Sequence, residues 1–282
     1  MKQDRAGSHT PRHHSVLFGR GPGLPQAFRG LAMTGGEAMD RHIIARLRSR
    51  RGSLATSKAP DGWTAPPLLY RAALRGVYGE YRRFERGGIA DALFVFLDGA
   101  PDPQAVAALD AHCRARPWVC LTDAWEAHVK ARYPDARIFR RYAMKPARCF
   151  RFPEARALPA GCRLADMDEA AFARHPFSHG VNYPSFDAFR KDGSGAVVWL
   201  DGGIVASASS FLSLDGEVEL DVSTLEAHRG KGLAAACVAR MLRDCQARGI
   251  TVHWDAQNET SRHLAGKFGF ELEREYPVYW QE

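Results

Sequence analysis

The sequence predicts a mixed α/β fold in two parts, a smaller α/β domain over residues 62–150 followed by a larger unit over residues 160–282. Three observations support this fold class. Apolar runs of strand length alternate with helical patterns in both parts. In the second part, a strand runs through a glycine-rich turn into a long amphipathic helix. A Pro- and Arg-containing stretch, Pro146 to Pro159, is the predicted linker.

The first part is predicted to contain three strands and two helices. The strands lie at 93–97, 118–121 and 139–144, and the helices lie at 103–115 and 123–132. No glycine-rich phosphate loop occurs among these elements. We therefore expect a degenerate, non-catalytic domain that supports the fold or shapes a substrate cleft.

The second part begins with two strands joined by an Asp-Gly-Gly turn, at 196–199 and 204–212. The segment Glu217 to Val222 then alternates polar and apolar residues, as a half-buried strand does. A further strand is predicted at 250–254, and a helix follows Asn258.

A helix with an apolar stripe follows the alternating strand. Leu233, Cys237, Met241 and Cys245 recur every fourth residue, and Gly249 is placed to end the helix. Glycine-rich residues before such a helix leave backbone N–H groups unpaired at the positive end of the helix dipole, where they bind phosphate oxygens. The run consists of Arg229, Gly230, Lys231, Gly232, Leu233 and Ala234. It is predicted to bind a pyrophosphate.

This run matches neither the Walker loop nor the dinucleotide-binding fingerprint. It resembles the Arg/Gln-x-x-Gly-x-Gly/Ala signature of the GCN5-related N-acetyltransferase (GNAT) superfamily, with Arg229, Gly232 and Ala234 at the defining positions. The resemblance implies a mixed-sheet acyl-CoA N-acyltransferase (GNAT) fold preceded by a smaller, degenerate α/β domain. It also implies acetyl-CoA as co-substrate, with its pyrophosphate on this loop.

A closer resemblance is to the bacterial GNAT acetyltransferase subgroup that includes the zwittermicin A resistance protein. The residues that carry it are Glu219, Thr224, the His253-Trp254-Asp255 triplet and Asn258. This resemblance implies acetyl transfer to an amine by direct attack. None of the six cysteines has an activating setting that would favour a cysteine relay.

Amine acetylation requires a base, and Glu217, Glu219 and Asp221 share one face of the alternating strand. The resemblance makes Glu219 the first candidate, with Asp221 and His253 as further catalytic candidates. A solvated strand face is the competing interpretation of the carboxylates, and a structural hydrogen bond is the competing interpretation of His253. Crowding of like charges would raise the pKa of one carboxyl group.

The resemblance further implies cofactor contacts from the strand, the loop and the second helix. The strand contributes Leu220 and Val222, and Asn258 contributes from the helix unless it is only an N-cap. Ala265 stands where many superfamily members have the tyrosine that protonates the leaving thiolate. The general acid is therefore unassigned, although Tyr276 and Tyr279 are close in sequence.

Composition excludes several other classes of function. Six cysteines without Cys-x-x-Cys pairs or zinc-type histidine spacing predict no metal site. No apolar run approaches the length of about 20 residues that crosses a membrane, and no secretory signal is visible, so a cytoplasmic protein is expected. The partner is expected to be a small-molecule amine acceptor, without a membrane or a specific nucleic acid.

The net charge of +7 resides in the first 58 residues, which have eleven Lys and Arg against three Asp and Glu. This leader is predicted to be disordered. It is interpreted as a polyanion-binding arm, a targeting segment or, preferentially, an extension upstream of a start at Met33 or Met39. A loop at 174–194, rich in His and aromatic residues, is a candidate acceptor pocket or a local aromatic core.

Two alternative functions fit the same motifs. The first is an acyl-CoA-binding regulator without turnover, expected if the acidic strand face is buried against the first part of the chain or fully open to water. The second is a tRNA-dependent aminoacyl transferase with tandem GNAT halves, expected if acyl-CoA does not bind.

Overall fold

The computed structural model describes residue 63 and residues 66–112, 116–174 and 182–281. The predictions on the leader lie outside these residues. The described helices are α1 (Leu68–Leu74), α2 (Pro103–His112), α3 (Asp123–Arg132), α4 (Glu169–Arg174), α5 (Phe186–Asp192), α6 (Leu233–Ala247) and α7 (Glu259–Lys267). The first strands are β1 (Glu80–Arg83), β2 (Gly87–Asp91), β3 (Val95–Gly99), β4 (Pro117–Cys120), β5 (Arg137–Met144) and β6 (Arg163–Asp166). The others are β7 (Gly195–Leu200), β8 (Gly203–Leu214), β9 (Glu217–Thr224), β10 (Thr251–His253), β11 (Asp255–Ala256) and β12 (Leu272–Trp280).

The second part of the chain forms a five-stranded sheet in the order β10-β9-β8-β7-β6. Only the β9–β10 pair is parallel, so the sheet is mixed, as predicted. Helix α6 packs on one face through its apolar stripe, and Cys237 and Met241 share a core with Val218 and Leu220 of β9. The residues of β9 that alternate with these, among them Glu217 and Glu219, therefore face away from α6.

The first part of the chain forms a seven-stranded sheet in the order β1-β2-β3-β4-β12-β5-β11. Two of its strands, β11 and β12, come from the second part of the chain. Strand β12 pairs with β5 along its whole length and also contacts β4. The larger sheet therefore crosses the predicted boundary between residues 62–150 and residues 160–282.

The predicted mixed α/β class is confirmed, and most predicted elements are present with small shifts. Helix α3 has the predicted bounds and is N-capped by Thr122, which accepts a hydrogen bond from the N–H of Trp125. The strand predicted at 93–97 lies two residues later, as β3. The strand predicted at 250–254 is divided into β10 and β11, because Asp255 and Ala256 pair with β5 in the other sheet.

Helix α1 connects the two sheets and was not predicted. Its residues Leu68, Leu69 and Tyr70 are buried in one core with Leu212 and Leu214 of β8. On the same side, the guanidinium of Arg71 donates two hydrogen bonds to the Glu217 carboxylate, at 2.9 and 2.7 Å. The first part of the chain is thus fixed directly onto the strand that carries the candidate base.

Candidate active site

Strands β9 and β10 separate beside Glu219, and this separation opens a groove. Their parallel pairing covers only Glu217 to Glu219 on β9. The N–H of Thr251 donates a hydrogen bond to the carbonyl of Gly216. If this parallel ladder continued in the same register, the N–H of Asp255 would donate to the carbonyl of Leu220. That N–H is instead donated to Oε1 of Glu219, at 3.2 Å. From Leu220 onward, β9 has one backbone edge that β10 does not pair.

The glycine-rich loop lies at the start of α6, as the sequence predicts. Gly230 and Gly232 have φ of 76° and 79°, in the left-handed region that favours glycine. A Cβ at either position would meet no heavy atom within 4 Å, so the space above the loop is open. Gly232 is the N-cap of α6 and provides no side-chain hydrogen bond.

The loop offers unpaired N–H groups and positive charge. The first backbone hydrogen bond of α6 is made by the N–H of Ala236, and the N–H groups of the three preceding residues bond no backbone carbonyl in the described part of the chain. Arg229 and Lys231 donate to the carbonyls of Thr224 and Ala227, which holds both cations beside the loop. Helix α6 has no acidic residue in its first turn. These features fit a pyrophosphate.

Glu219 is buried, with 8% of its surface exposed. The N–H of Asp255 is its hydrogen-bond donor. Burial, together with the nearby Asp255 carboxylate, raises the pKa of Glu219 to about 8. The strand face predicted to be either catalytic or solvated is therefore enclosed at this residue, and its carboxyl group titrates near neutral pH.

Glu217 differs from Glu219 although both face the same side of β9. It accepts hydrogen bonds from Arg71 of α1 and pairs with Nε2 of His253 at 2.5 Å. Burial alone would raise the pKa of Glu217, but the bonds from His253 and Arg71 outweigh it and lower the pKa to about 2. Glu217 is therefore a charged carboxylate that links Arg71 of α1 to β9. The Nε2 atom of His253 is occupied by its bond to Glu217.

A second hydrogen-bonded group lies on the other side of Glu219. Oδ2 of Asp255 accepts hydrogen bonds from Nε of Arg141 at 2.9 Å and from the hydroxyl of Tyr276 at 2.7 Å. Burial would lower the pKa of Arg141, but Asp255 raises it above its ordinary value and keeps the guanidinium charged. Oδ1 of Asp255 is buried and has no hydrogen-bond partner among the described residues.

Glu219, His253 and Asp255 line one pocket, and its other walls are mostly apolar. The first part of the chain provides much of the lining, at the start of α1 and on β3 and β5. These lining residues are Trp63, Pro66, Pro67, Leu68, Leu69, Phe96, Ala143 and Met144. Tyr276 closes the pocket from β12, with its ring 5.2 Å from that of Trp63. The first part of the chain thus provides much of the pocket wall, and its predicted role in shaping a substrate cleft stays a prediction.

The other predicted site residues lie around this centre. Asp221 is half-buried, one step beyond Glu219 on the same face, and it does not line the pocket. Leu220 and Val222 lie on the part of β9 that β10 does not pair. Oδ1 of Asn258 accepts a hydrogen bond from the N–H of Ser261 at 2.9 Å and caps α7. A cofactor contact by Asn258 stays a prediction.

Sequence reasoning did not identify Arg71, Arg141 and Trp63, and it left the role of Tyr276 open. The sequence pattern could have indicated Arg141. It lies two residues from Phe139 and from Ala143 along β5, so all three side chains lie on the face of the strand that packs in the core. Arg71 and Trp63 had none, because their proximity to β9 depends on how the two sheets meet. Tyr279, the other tyrosine considered, bonds Glu126 in the first part of the chain, and Ala265 is buried in the core.

Part of the loop at 174–194 lies outside the described residues. Its described aromatic residues, Tyr183, Phe186 and Phe189, pack with Phe172 in a local cluster. Within the described ranges, no His, Cys, Asp and Glu side chains gather as a metal site. None of the helices in those ranges has the length and apolar character needed to cross a membrane.

The mixed sheets, the separating strands and the glycine loop at the start of a helix define an acyl-CoA N-acyltransferase fold. The GNAT acetyltransferase family model matches residues 78–279. The chain belongs to the GNAT acetyltransferase family.

The chain is similar to several known proteins. The chain is similar to a GCN5-related N-acetyltransferase-like protein from Streptococcus suis 89/1591, with 26% identity, a TM-score of 0.66 and coverage of 88% of this chain and 100% of the other. A GCN5-related N-acetyltransferase from Kribbella flavida has 18% identity and a TM-score of 0.49, covering 77% and 97%. The N-acetyltransferase YdfB of Bacillus subtilis is 28% identical over 165 residues, or 56% of this chain. The match spans 63% of YdfB.

Proposed function

We propose that the protein transfers an acetyl group from acetyl-CoA to the amine of a small molecule. The observation that carries the proposal is the position of Glu219. Its carboxyl group is buried in a pocket beside the point where β9 and β10 stop pairing. The loop at 229–234 supports the choice of donor, because its N–H groups and cations suit a pyrophosphate.

The co-substrate supplies an activated acetyl thioester, and the chain's own residues manage the proton of the amine. Glu219 accepts a proton from the ammonium form of the acceptor. Its pKa of about 8 suits this role, because an efficient base titrates near the operating pH. The neutral amine nitrogen then attacks the thioester carbonyl carbon directly, so that a C–N bond forms while the C–S bond breaks. CoA leaves as the thiolate and takes up the proton that the acetylated nitrogen releases. Among the described cysteines, burial raises the pKa of Cys237 and Cys245 to about 12, so neither favours a relay.

The group formed by Asp255, Arg141 and Tyr276 holds Glu219 in place. The N–H of Asp255 is the donor to Glu219, and Arg141 and Tyr276 both bind the Asp255 carboxylate. We assign no general acid for the thiolate. Burial raises the pKa of Tyr276 well above its ordinary value, which disfavours Tyr276 in that role.

The proposal includes the subgroup of the zwittermicin A resistance protein. The support for this subgroup is the position of the His253-Trp254-Asp255 triplet in the structure. His253 and Asp255 line the pocket beside Glu219, while Trp254 packs against Phe270 in the core.

The decisive experiment is calorimetric titration of acetyl-CoA, followed by CoA release with a panel of amines. Binding together with amine-dependent CoA release is the expected result, and Glu219→Gln is expected to bind but not turn over. Binding without turnover of any amine would favour the acyl-CoA-binding regulator, for which the hydrogen bonds from Arg71 of the first part to the half-buried Glu217 are the supporting contact. Absence of binding would favour the tRNA-dependent alternative.

A further inference from the structure

The pocket beside Glu219 has a chemical asymmetry. Carboxylates lie at one side, from Glu219, Asp255 and Glu273, while the wall from Pro66 to Leu69 is apolar. None of the described side chains that line the pocket is Lys or Arg, and the guanidinium of Arg141, outside the lining, pairs with the Asp255 carboxylate. Such a site favours a cation joined to an apolar body.

Two buried polar atoms of pocket-lining residues have no hydrogen-bond partner among the described residues. One is Oδ1 of Asp255, an acceptor, and the other is Nε1 of Trp63, a donor. Trp63 is 9% exposed, and neither atom is reached by solvent in this conformation, so an occupant of the pocket bonds to them only after a side-chain shift. An unpaired buried polar group destabilises a fold by about 1–3 kcal/mol, so such groups call for a ligand or another explanation.

The cavity is also small, with a volume of about 40 Å³. One water molecule needs about 10–15 Å³ on the same measure, so the enclosed part of the pocket accommodates an amine and only a few further heavy atoms. A larger acceptor would extend from the enclosed part into the open side of the pocket.

We propose that the acceptor is a small, singly charged primary amine whose apolar body carries one uncharged hydrogen-bond acceptor. Its nitrogen binds between Glu219 and the free oxygen of Asp255, and its acceptor atom receives the N–H of Trp63. This inference rests on the proposed acetyl transfer. It identifies Trp63, which precedes α1 and belongs to neither sheet, as a residue that determines the choice of acceptor.

The test compares amines of equal size that differ by one oxygen. The pairs are 2-methoxyethylamine with butylamine and 3-methoxypropylamine with pentylamine, and kcat/KM is measured by CoA release with the full chain. In at least one pair, the ether is expected to be preferred about tenfold, because the alkyl amine leaves the indole N–H unpaired. The doubly charged 1,5-diaminopentane is expected to be a poorer substrate than the preferred ether.

The matched variants are Trp63→Phe and Trp199→Phe. Trp63→Phe retains an aromatic ring against Tyr276 but removes the N–H, so it should abolish the ether preference. Trp199→Phe makes the same change on β7, away from the pocket, and should leave the preference intact. A general loss of stability would lower all rates and would not change the ratio. If Trp63→Phe fails to fold, the wild-type ratio alone decides.

The outcomes separate this inference from the proposed function. Equal use of ether and alkyl amines in both pairs, or a preference that survives Trp63→Phe, overturns the inference. Turnover only with 1,5-diaminopentane or glucosamine also overturns it while acetyl transfer stands. Failure of acetyl-CoA to bind in calorimetry overturns the proposed function itself.

Discussion

Replacing Glu219 by Gln should reduce catalysis and stabilise the fold at high pH. Gln retains an oxygen that accepts the N–H of Asp255, so the geometry is preserved. Loss of a general base lowers kcat/KM by about 10²- to 10⁴-fold. In the wild type, kcat/KM should rise with pH through about 8 as Glu219 ionises, and the variant should lack this rise.

The stability effect has a definite sign. The pKa of Glu219 in the folded protein, about 8, lies above its ordinary value of 4.5. The protonated group stabilises the fold below pH 4.5, and this contribution is lost as pH rises from 4.5 through 8. At about 1.4 kcal/mol per pH unit, the loss is about 5 kcal/mol at most. Glu219→Gln should therefore be more stable than wild type at pH 8.5 and similar to it at pH 4.5.

The assays are denaturant unfolding at the two pH values and CoA release from pH 6 to 10. Glu217→Gln is the matched control on the same strand face. The pKa of Glu217 is lowered to about 2, so its contribution is present above pH 4.5, is lost as pH falls through 2, and should be missing from the variant. A Glu219→Gln variant with activity within threefold of wild type would refute the assignment of the base.

Three further predictions concern the loop and the contacts of α1 and Asp255. Gly232→Asp should abolish acetyl-CoA binding in calorimetry, whereas Gly202→Asp, at another glycine with positive φ and open space, should leave it unchanged. Arg71→Ala should lower the free energy of unfolding by about 1–3 kcal/mol, since it leaves the Glu217 carboxylate with fewer partners; an unchanged midpoint in urea would contradict this. Tyr276→Phe removes one donor to Asp255 and should reduce stability by about 1 kcal/mol in thermal unfolding, with a smaller effect on kcat than Glu219→Gln.

The position of the first part of the chain changes how its role is understood. It carries no phosphate loop, yet Arg71 binds the active-site strand and Arg141 binds Asp255. Strand β12 lies between its strands β4 and β5, so the seven-stranded sheet is complete only with both parts of the chain. The first part of the chain therefore stabilises the strand that carries the candidate base.

Several site features were readable because their physical causes are local. Alternation along β9 places the three carboxylates on one face, and two glycines before an amphipathic helix create a phosphate-binding turn. Asn258 at the start of α7 is an N-cap because its side chain reaches the N–H three residues later. In each case, the interacting groups are a few residues apart, so spacing alone predicts the geometry.

The sequence by itself determined the mixed α/β class, the glycine loop and the candidacy of Glu219. The resemblance ranked Glu219 first, but only the tertiary structure gave the physical difference between Glu219 and Glu217, two identical side chains two residues apart. Arg71, 146 residues away, provides a cation for Glu217, while Glu219 receives burial and a neighbouring carboxylate. Local pattern cannot encode this difference, because a pKa depends on the charges and solvent that the folded chain brings to the group.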